Sequence, residues 1–451
     1  MDFSIESVSC RTGYWEESSF YYQKRHTIPK TEEDSVIRDA GYGPKLVREY
    51  NELNILRFIK NEGPISRAEL AKRYKISKAA VSEITAHLLE QNYIHEIGMG
   101  DSTSVGGRKP ILLEFNPEAG YAIGVEIKRN HAVIAISNLN ARIHKKETIQ
   151  FPKGRQLNRV LPEIFRIIES FQKKGWAKTS RPIGIGVAIP GLINYNTGSI
   201  QETDSLTGWK GFPLRREFEN RFGIETIIEN DVKTMSLGEC RFGNGKNADN
   251  IIYLWIGDGL SAGIIINGEL YRGVSASSGE IGYYELGYFI TNTDSFKYLF
   301  NGQKNFSEIL SFDSLLQAGK KYLNNACPRI NGDVGTIIRC AEEGNNVARE
   351  ILKEYADLVG IICINLINTI NPELILISGH ERIMPNKLLL GFIKEKIKAD
   401  VLRTPTKAVK VKSAVLGENA GVMGAVGLVL EDLFYKERLN IHKYRNIFRK
   451  K

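Results

Sequence analysis

The sequence lacks both a membrane-spanning segment and an export signal. Its longest apolar run, residues 358–370, holds about 13 residues and is interrupted by Asn365 and Asn368, whereas a membrane-spanning helix needs about 20. Asp2 and Glu6 stand where a signal peptide would be basic, so no export is indicated. We therefore expect a cytoplasmic protein that does not enter a membrane.

Cysteine is scarce, and its distribution argues against a metal or redox site. The five cysteines are odd in number and widely scattered, and no pair has the spacing of a metal or redox motif: Cys10, Cys240, Cys327, Cys340 and Cys363. This pattern predicts reduced thiols. We expect neither a metal ion nor a cofactor.

Chain length bounds the number of domains, and the charge distribution bounds what can be said of nucleic-acid binding. The 451 residues are too many for one ordinary domain, so two or three domains are expected. The formal net charge is +9, but residues 436–451 carry seven Lys and Arg against the single acidic Glu437, so six of the nine charges lie in a short tail. Total charge is therefore no evidence for nucleic-acid binding, and that function needs a motif.

The first part of the chain changes character near residue 46. Residues 1–45 show no sustained hydrophobic period, and we predict an irregular N-terminal extension there. Leu53, Leu56 and Ile59 then recur every third residue, which predicts an amphipathic helix that ends at the Gly-Pro of positions 63–64.

Two further helical patterns follow with the spacing of a helix-turn-helix. Ser66 and Glu69 form a capping box at the start of the second helix, and Ser77 caps the third helix after a short turn. The last helix of such a unit can enter the major groove of DNA. Its candidate DNA contacts near the amino end are Ser77, Lys78, Ala79, Ser82 and Glu83.

A β-hairpin completes this region. Residues 93–97 and 111–115 read as two strands joined by a flexible loop, with Arg108 and Lys109 at the base of the hairpin as further candidate DNA contacts. We predict a winged helix-turn-helix over residues 46–115 that binds double-stranded DNA. The alternative is a small helical unit with a hairpin that binds another protein.

The rest of the chain predicts a different architecture. Over residues 116–432 strands and helices alternate, which indicates an α/β domain with a mixed sheet, and residues 433–451 form a basic tail. The domain opens with three strands, near 121–127, 131–138 and 143–151. We find no repeat of fixed period.

Polar strand ends between residues 227 and 288 predict a ligand cleft. Asn230 and Asp231 end a short apolar strand, and Glu280 stands between glycines. Carboxylates and amides accept hydrogen bonds from neighbouring hydroxyl groups, and glycines let the backbone approach a ligand, so a sugar is the expected ligand. The alternatives are a helix N-cap for Asn230 and Asp231, and a turn residue for Glu280.

Several motifs, taken in order, resemble the ROK family, which joins sugar kinases of the actin-like ATPase fold to repressors with a winged helix. They lie at residues 63–71, 106–110, 190–191, 229–231, 279–282 and 417–421. The resemblance implies a winged helix-turn-helix followed by a two-lobed, ROK sugar kinase-like domain. It also implies a repressor similar to regulators that respond to xylose or N-acetylglucosamine, with operator DNA and a sugar effector as partners, built as a homodimer or a dimer of dimers.

Two departures from the family pattern predict that this domain neither transfers a phosphoryl group nor binds zinc. Family kinases carry Asp-x-Gly-Gly-Thr, whose glycines admit ATP phosphates, where this chain has Glu126, Ile127, Lys128, Arg129 and Asn130. Two long side chains stand where close backbone approach is required, so phosphate binding should fail. The zinc-binding pattern is also missing, since Tyr283 replaces its His and residues 299–308 hold no cysteine.

The resemblance completes the expected sugar site. It gives Gly191 a backbone role, places Tyr283 against the sugar, and aligns Glu308 with the family's sugar-binding glutamate. The expected set is Gly191, Asn230, Asp231, Glu280, Tyr283 and Glu308. Two other functions remain open: a sugar kinase with an accessory DNA-binding module, and a DNA binder whose cleft binds nothing.

Overall fold

The structure is a computed structural model. It describes residues 44–99, 109–152, 156–173, 175–203, 206, 208–257, 259–285, 296–323, 333–380, 386–400 and 408–434. Almost all of the predicted N-terminal extension, and the basic tail apart from its first two residues, lie outside the described residues.

The N-terminal unit is a winged helix. Its elements are α1 (Pro44–Glu62), β1 (Ile65–Ser66), α2 (Arg67–Tyr74), α3 (Lys78–Glu90), β2 (Ile94–Met99) and β3 (Ile111–Phe115), and the sheet order is β1-β3-β2. The predicted capping box is present, because the Ser66 hydroxyl accepts from the Glu69 amide at 3.2 Å and the Glu69 carboxylate accepts from the Ser66 amide at 3.0 Å. The first helix begins at Pro44, slightly earlier than predicted.

Lobe 1 of the second unit is built on a five-stranded sheet with the order β10-β7-β4-β5-β6. Its strands are β4 (Gly120–Ile127), β5 (His131–Asn138), β6 (Ile143–Gln150), β7 (Arg181–Ile189) and β10 (Thr226–Asn230), with a small hairpin of β8 (Leu192–Asn194) and β9 (Ser199–Glu202) beside them. The helices α4 (Leu157–Gln172) and α5 (Leu214–Phe222) bury their apolar sides against this sheet.

Lobe 2 has a second five-stranded sheet with the order β13-β12-β11-β14-β15. Its strands are β11 (Ile251–Ile256), β12 (Leu260–Ile266), β13 (Glu269–Tyr271), β14 (Leu374–Gly379) and β15 (Lys410–Ser413). Between β13 and β15 run α7 (Phe306–Ile309), α8 (Phe312–Tyr322), α9 (Val334–Glu342), α10 (Asn346–Ile370) and α11 (Lys387–Asp400). These helices and the sheet enclose the largest apolar cluster of the described residues.

The two sheets have the same topology. In each, an antiparallel three-strand meander is followed by two strands that add in parallel beside its first strand. The sequence reading missed this duplication. The second strand of lobe 2 begins at Leu260, so the turn after β11 is only residues 257–259.

Two helices join the lobes. The helix α6 (Asp231–Phe242) follows the last strand of lobe 1 but packs on β11 and β12 of lobe 2, whereas α12 (Ala420–Phe434) follows lobe 2 and packs on β4 and β7 of lobe 1. They pack closely at glycines, because a Cβ at Gly424 would stand 1.9 Å from the Thr234 carbonyl oxygen. No larger residue fits there without displacing a helix.

The winged helix is docked on the end of α12. The rings of Phe115 and Phe434 meet edge to face at 5.6 Å between centroids, and the Lys60 ammonium lies 4.9 Å from the centre of the Phe434 ring. The Arg57 guanidinium donates to the Leu433 carbonyl at 3.0 Å. One apolar cluster therefore spans the winged helix and the last helix of the two-lobed second unit.

The structure also bears on the expectations about membrane-spanning helices and cysteines. Within the described ranges, no helix is long and apolar enough to cross a membrane. Cys240 and Cys363 are free and buried, but Cys340 is disulfide-bonded, so the prediction of reduced thiols is wrong for Cys340. Spacing along the sequence does not report pairs that folding brings together.

Candidate ligand cleft and DNA interface

A cavity of about 1040 Å³ lies between the two lobes. It is large enough for a sugar with room to spare. Five of the six predicted sugar-binding residues line it: Gly191, Asn230, Asp231, Glu280 and Tyr283. Folding thus brings most of the predicted sugar-binding set to one cleft.

Asn230 and Asp231 end β10 and begin α6, so they lie at the amino end of a helix. The Asn230 side-chain oxygen accepts from the Lys233 amide at 3.0 Å, and its NH₂ group donates to the Gly191 carbonyl at 3.1 Å. One Asp231 carboxylate oxygen accepts from the Val232 amide at 2.9 Å. The N-cap and cleft interpretations are therefore compatible, since Asn230 caps the helix and also lines the cavity.

Gly191 is needed for its backbone shape. Its φ of +113° is one that side-chain-bearing residues rarely adopt, and a Cβ there would stand 2.1 Å from the Glu202 carbonyl oxygen. The turn that follows β7 can therefore pack against the end of β9 only because residue 191 has no side chain.

Asp231 and Glu280, two of the four acids that line the cavity, are harder to ionise than ordinary carboxyl groups. Burial raises the pKa of Asp231, opposed by the Val232 amide and by the positive charge of Lys128. Burial also raises the pKa of Glu280, opposed by Lys233 and reinforced by the negative charge of Asp231. Titration of this pair lies above the usual carboxyl range.

Buried cations hold the loop that carries Glu280, a feature that the sequence reading missed. The fully buried Lys233 donates to the Ala276 carbonyl at 2.9 Å, and burial lowers the pKa of its amine. Arg272 of lobe 2 contacts the Glu229 carboxylate of lobe 1 at 2.6 Å and lies 4.2 Å from the centre of the Tyr195 ring. These contacts fix the loop against lobe 1.

Glu308 is not among the residues that line the cavity, contrary to expectation. Its carboxylate is exposed and accepts from the Lys304 amide at 2.8 Å and from the Asn305 side chain at 3.2 Å. The neighbouring Ser307 lines the cavity instead, and its hydroxyl accepts from the Leu260 amide at 3.1 Å. In the short helix α7 consecutive side chains point in different directions, so an alignment shifted by one residue changes which of them faces the ligand.

Basic side chains of lobe 1 also line the cavity. Lys128, Arg129, His131 and Lys146 come from the first hairpin of lobe 1 and the strand beside it, and the acidic Glu418 lines the cavity with them. The hairpin turn is closed by the Lys128 amide, which donates to the His131 carbonyl at 2.8 Å. The Lys128 ammonium lies 3.1 Å from a carboxylate oxygen of the buried Glu126.

The candidate DNA contacts lie together on the amino half of α3. Ser77 caps this helix by accepting from the Ala80 amide at 3.1 Å, and the side chains of the predicted set are exposed: Ser77, Lys78, Ala79, Ser82 and Glu83. Lys109 is also exposed, whereas Arg108 lies outside the described residues. The Glu83 carboxylate pairs with Arg48 of α1 at 2.7 Å, a partner that the sequence did not indicate.

Two family models match the chain, one within the winged helix and one over the two-lobed unit. A model of the ROK family matches residues 122–432, which is more than half of the chain. A model of the MarR family matches residues 49–96, within the winged helix.

Proteins similar to this chain include xylose repressors and the regulator NagC. The putative xylose repressor of Caldicellulosiruptor sp. (strain Rt8B.4) is 29% identical over 392 residues, 86% of this chain and 97% of that protein. The xylose repressor of Bacillus subtilis (strain 168) is 28% identical over 391 residues, 85% of this chain and 96% of that protein. The DNA-binding transcriptional dual regulator NagC of Escherichia coli (strain K12) is 28% identical over 390 residues, 85% of this chain and 93% of NagC.

Solved structures share the fold. A ROK family transcriptional regulator, described as a homolog of the E. coli MLC protein, has a TM-score of 0.72 at 23% identity and covers 86% of this chain and 98% of its own. A ROK hexokinase from Thermus thermophilus has a TM-score of 0.56 at 20% identity and covers 68% and 96%. The predicted fold class, a winged helix followed by a two-lobed actin-like domain, is confirmed.

Proposed function

Because the chain belongs to the ROK family, we propose that it is a sugar-responsive transcriptional repressor. The winged helix binds operator DNA, and the cleft binds a sugar without phosphorylating it. The names of the similar repressors support this function, and xylose and N-acetylglucosamine are the first sugars to test. We further propose that the protein acts as a homodimer or a dimer of dimers, as the family resemblance implies.

The observation that carries the proposal is a continuous path of packed elements between the cleft and the winged helix. Asn230 and Asp231 begin α6, α6 packs on α12 at Gly424, and the end of α12 is docked on the winged helix through Phe434. Glu431 of α12 also contacts Arg241 of α6 at 2.6 Å, which ties the two helices together beyond the glycine contact.

The path suggests how sugar binding changes DNA affinity. A sugar held by lobe 1 through Asn230 and Asp231, and by lobe 2 through Glu280, favours closure of the lobes. Because α6 and α12 are each attached to one lobe and packed on the other, closure slides the two helices against each other. The docked winged helix moves with α12, so the closed state binds operator DNA more weakly than the open state. The size of the effect is set by how much more tightly the sugar binds the closed state than the open state.

Each candidate ligand has a stated role in this proposal. Asp231 and Glu280 accept hydrogen bonds from sugar hydroxyls, and bonds to charged acceptors are stronger than bonds between neutral groups. The amide of Asn230 and the backbone at Gly191 orient the sugar. Tyr283, which is 66% exposed at the mouth of the cavity, packs on the sugar from outside.

A second function, a sugar kinase that also binds DNA, is favoured by one observation. The turn after β11 keeps glycines at 257 and 259, a composition that admits a phosphate-bearing ligand close to the backbone. We favour the repressor without catalysis because the matching turn of lobe 1 presents Lys128 and Arg129 to the cavity instead. Sustained ATP consumption with a panel of hexoses and pentoses would favour the kinase.

The decisive experiment measures operator affinity with and without sugar. DNA fragments selected in vitro by the protein serve as ligands in a fluorescence anisotropy titration at fixed salt, since affinity for DNA depends steeply on salt. We expect one sugar of the panel to weaken DNA binding at saturating concentration. A sugar that binds by calorimetry and leaves DNA affinity unchanged would contradict the mechanism.

A matched variant separates the two activities. Lys78 is an exposed basic residue at the start of α3 and lies in the winged helix, away from the cleft. Lys78→Gln should weaken DNA binding across sequences and reduce its salt dependence by about one charge. Its calorimetric sugar affinity should equal that of the parent protein.

A further inference from the structure

We propose that the basic tail, residues 433–451, is a second DNA-binding element, which contacts phosphates of the duplex that the winged helix holds. Its ligand is the backbone of double-stranded DNA, bound without regard to base sequence. This role rests on the proposed DNA-binding function. It adds a contact that lies outside the residues matched by the two family models.

The tail carries most of the excess positive charge of the chain. Residues 436–451 hold seven Lys and Arg and the single acidic Glu437, so six of the nine net positive charges lie there. Blocks of like charge commonly serve as interaction arms, and basic arms bind nucleic acid. Contacts from lysine and arginine to phosphates supply the sequence-independent part of DNA affinity. Charge alone does not name the partner, because the place of the tail in the fold decides which polyanion is near it.

The structure places the start of the tail on the winged helix. Leu433 and Phe434, its first two residues, are buried in the cluster that the winged helix shares with α12. The Arg57 guanidinium donates to the Leu433 carbonyl at 3.0 Å across 376 positions of the chain, and the Phe434 ring meets Phe115 at the end of β3. The Lys60 ammonium lies 4.9 Å from the centre of the Phe434 ring. The rest of the tail is therefore tethered to the DNA-binding unit.

The tail is long enough to reach the DNA that α3 reads. Lys60 lies at the anchor of the tail, whereas Arg48, twelve residues earlier in the same helix, pairs with Glu83 of α3. A helix rises about 1.5 Å per residue, so the anchor and this pair are about 18 Å apart along α1. The 17 residues 435–451 can span up to about 60 Å, at about 3.3–3.6 Å per residue. Length is left over to follow the phosphates.

The candidate contacts on α3 bring little charge of their own. In the predicted set on this helix, the positive charge of Lys78 is offset by the negative charge of Glu83. Phosphate contacts position a protein on DNA, whereas contacts to base edges specify the sequence. Once α3 holds a duplex, a tail tethered beside it meets the phosphates at a high effective concentration. The tail therefore adds affinity, and α3 keeps the specificity.

The experiment measures the DNA affinity of full-length proteins by fluorescence anisotropy over a salt series. In the tail-neutral variant, all seven Lys and Arg of residues 436–451 are changed to Gln. At low salt it should bind a selected DNA fragment at least about tenfold more weakly than the parent, and the slope of log affinity against log salt should shrink by about 0.9 for each lost phosphate contact. Affinity for random DNA should fall by the same factor, so the ratio of the two affinities stays unchanged.

A matched pair of double variants separates position from total charge. Lys443→Gln/Arg445→Gln removes two positive charges from the tail, and Lys394→Gln/Lys398→Gln removes two from the exposed side of α11 in lobe 2. Only the tail variant should weaken DNA binding and flatten its salt dependence. Both should unfold at the temperature of the parent. A tail variant that unfolds at a lower temperature without DNA would assign the tail a structural role and overturn the proposal.

A cross-linking residue reports the contact directly. Tyr444→benzoylphenylalanine should cross-link to bound DNA under ultraviolet light, whereas the same change at Tyr271, which is 50% exposed on lobe 2, should not. The proposal is overturned if the tail-neutral variant keeps the DNA affinity and salt slope of the parent. Loss of binding to vesicles of acidic phospholipid, with DNA binding intact, would assign the tail to a membrane surface instead. If the proposed function itself fails, the parent binds selected and random DNA equally.

Discussion

The first hairpin turns of the two lobes occupy equivalent places in sheets of the same topology, yet their residues are opposite in kind. Lobe 1 has Lys128 and Arg129 in this turn, whose side chains enter the cavity. Lobe 2 has Gly257 and Gly259, which offer backbone. The same topology therefore supplies charge from one side of the cleft and close backbone approach from the other.

The candidate sugar ligands do not follow this contrast, since each lobe brings a carboxylate to the cavity, Asp231 from lobe 1 and Glu280 from lobe 2. In lobe 2 the backbone at Gly279, next to Glu280, lies tightly against β12. Duplicated lobes need not have duplicated chemistry, because the topology fixes where a turn lies and the side chains fix what it binds.

The largest effect is expected from Gly279→Ala, which adds a side chain where lobe 2 depends on having none. The Cβ would stand 1.8 Å from the Ala262 carbonyl oxygen, and the φ of +87° is unfavourable for alanine. Overpacking of this kind costs about 1–3 kcal/mol of unfolding free energy. Urea unfolding should show that loss, and calorimetry should show weaker sugar binding.

A control glycine in the same lobe tests whether the effect is local. Gly391 lies inside α11 with open space around the position of a Cβ. Gly391→Ala should stabilise the protein by up to about 1 kcal/mol, because alanine is the better helix former. Equal behaviour of the two variants would refute the role of close backbone packing at Gly279.

Asp231→Asn tests the side-chain contribution of lobe 1. Asparagine keeps the shape and can still accept from the Val232 amide, but the charged acceptor is lost. A hydrogen bond to a charged group contributes about 1.5–3 kcal/mol, so sugar affinity should fall roughly 10- to 100-fold. Glu308→Gln is the control, because its carboxylate accepts from the Lys304 amide outside the cavity, and a similar loss there would restore Glu308 to the site.

Acidification should weaken sugar binding in the parent protein. Burial raises the pKa of Asp231 and of Glu280 in the free cleft, and a protonated carboxyl accepts sugar hydroxyls less well. Affinity is therefore full above the raised pKa values and falls as the pH drops through them. Calorimetry across a pH series measures this, and an affinity independent of pH would contradict it.

The pH dependence of sugar binding in Asp231→Asn tests whether Asp231 and Glu280 interact. Asp231 raises the pKa of Glu280, so in Asp231→Asn the remaining transition should move to lower pH. An unchanged midpoint would mean that the two acids do not interact in solution.

The smallest effect is expected from a change outside both lobes. Glu83→Gln removes the exposed ion pair with Arg48, and such surface pairs contribute about 0–1 kcal/mol to stability. Loss of a negative charge beside phosphates should strengthen DNA binding a few-fold, measured by anisotropy. Sugar affinity should stay the same, and a change there would show that the winged helix and the cleft are coupled without DNA.

Local chemistry explains which features were predicted from the sequence. The Ser66 and Glu69 capping box, the Ser77 cap and the Asn230 cap each depend on residues three positions apart, so the sequence contains the whole interaction. The three opening strands of lobe 1 were predicted within a residue or two for the same reason, since an apolar run bounded by turns is a local pattern.

Features that join distant segments were missed. Lys233 is a helix residue three positions from the N-cap, and nothing in its neighbours indicates that its amine is buried under the loop at Ala276. The pairing of Arg272 with Glu229 spans 43 positions of the chain. Glu308 was assigned to the sugar site by resemblance, across a region without matching motifs. Adjacent side chains of the short helix α7 point in different directions, and Ser307 lines the cavity instead of Glu308.

The sequence by itself determined the two kinds of unit, their order along the chain, and the polar residues at the ends of β10 and near Glu280, because each is encoded by neighbouring residues. Only the tertiary structure decided that the lobes repeat one topology, that α6 and α12 cross between them at Gly424, and that Lys128 pairs with the buried Glu126. Burial removes water from these groups, and only the arrangement of distant segments determines which partner replaces it.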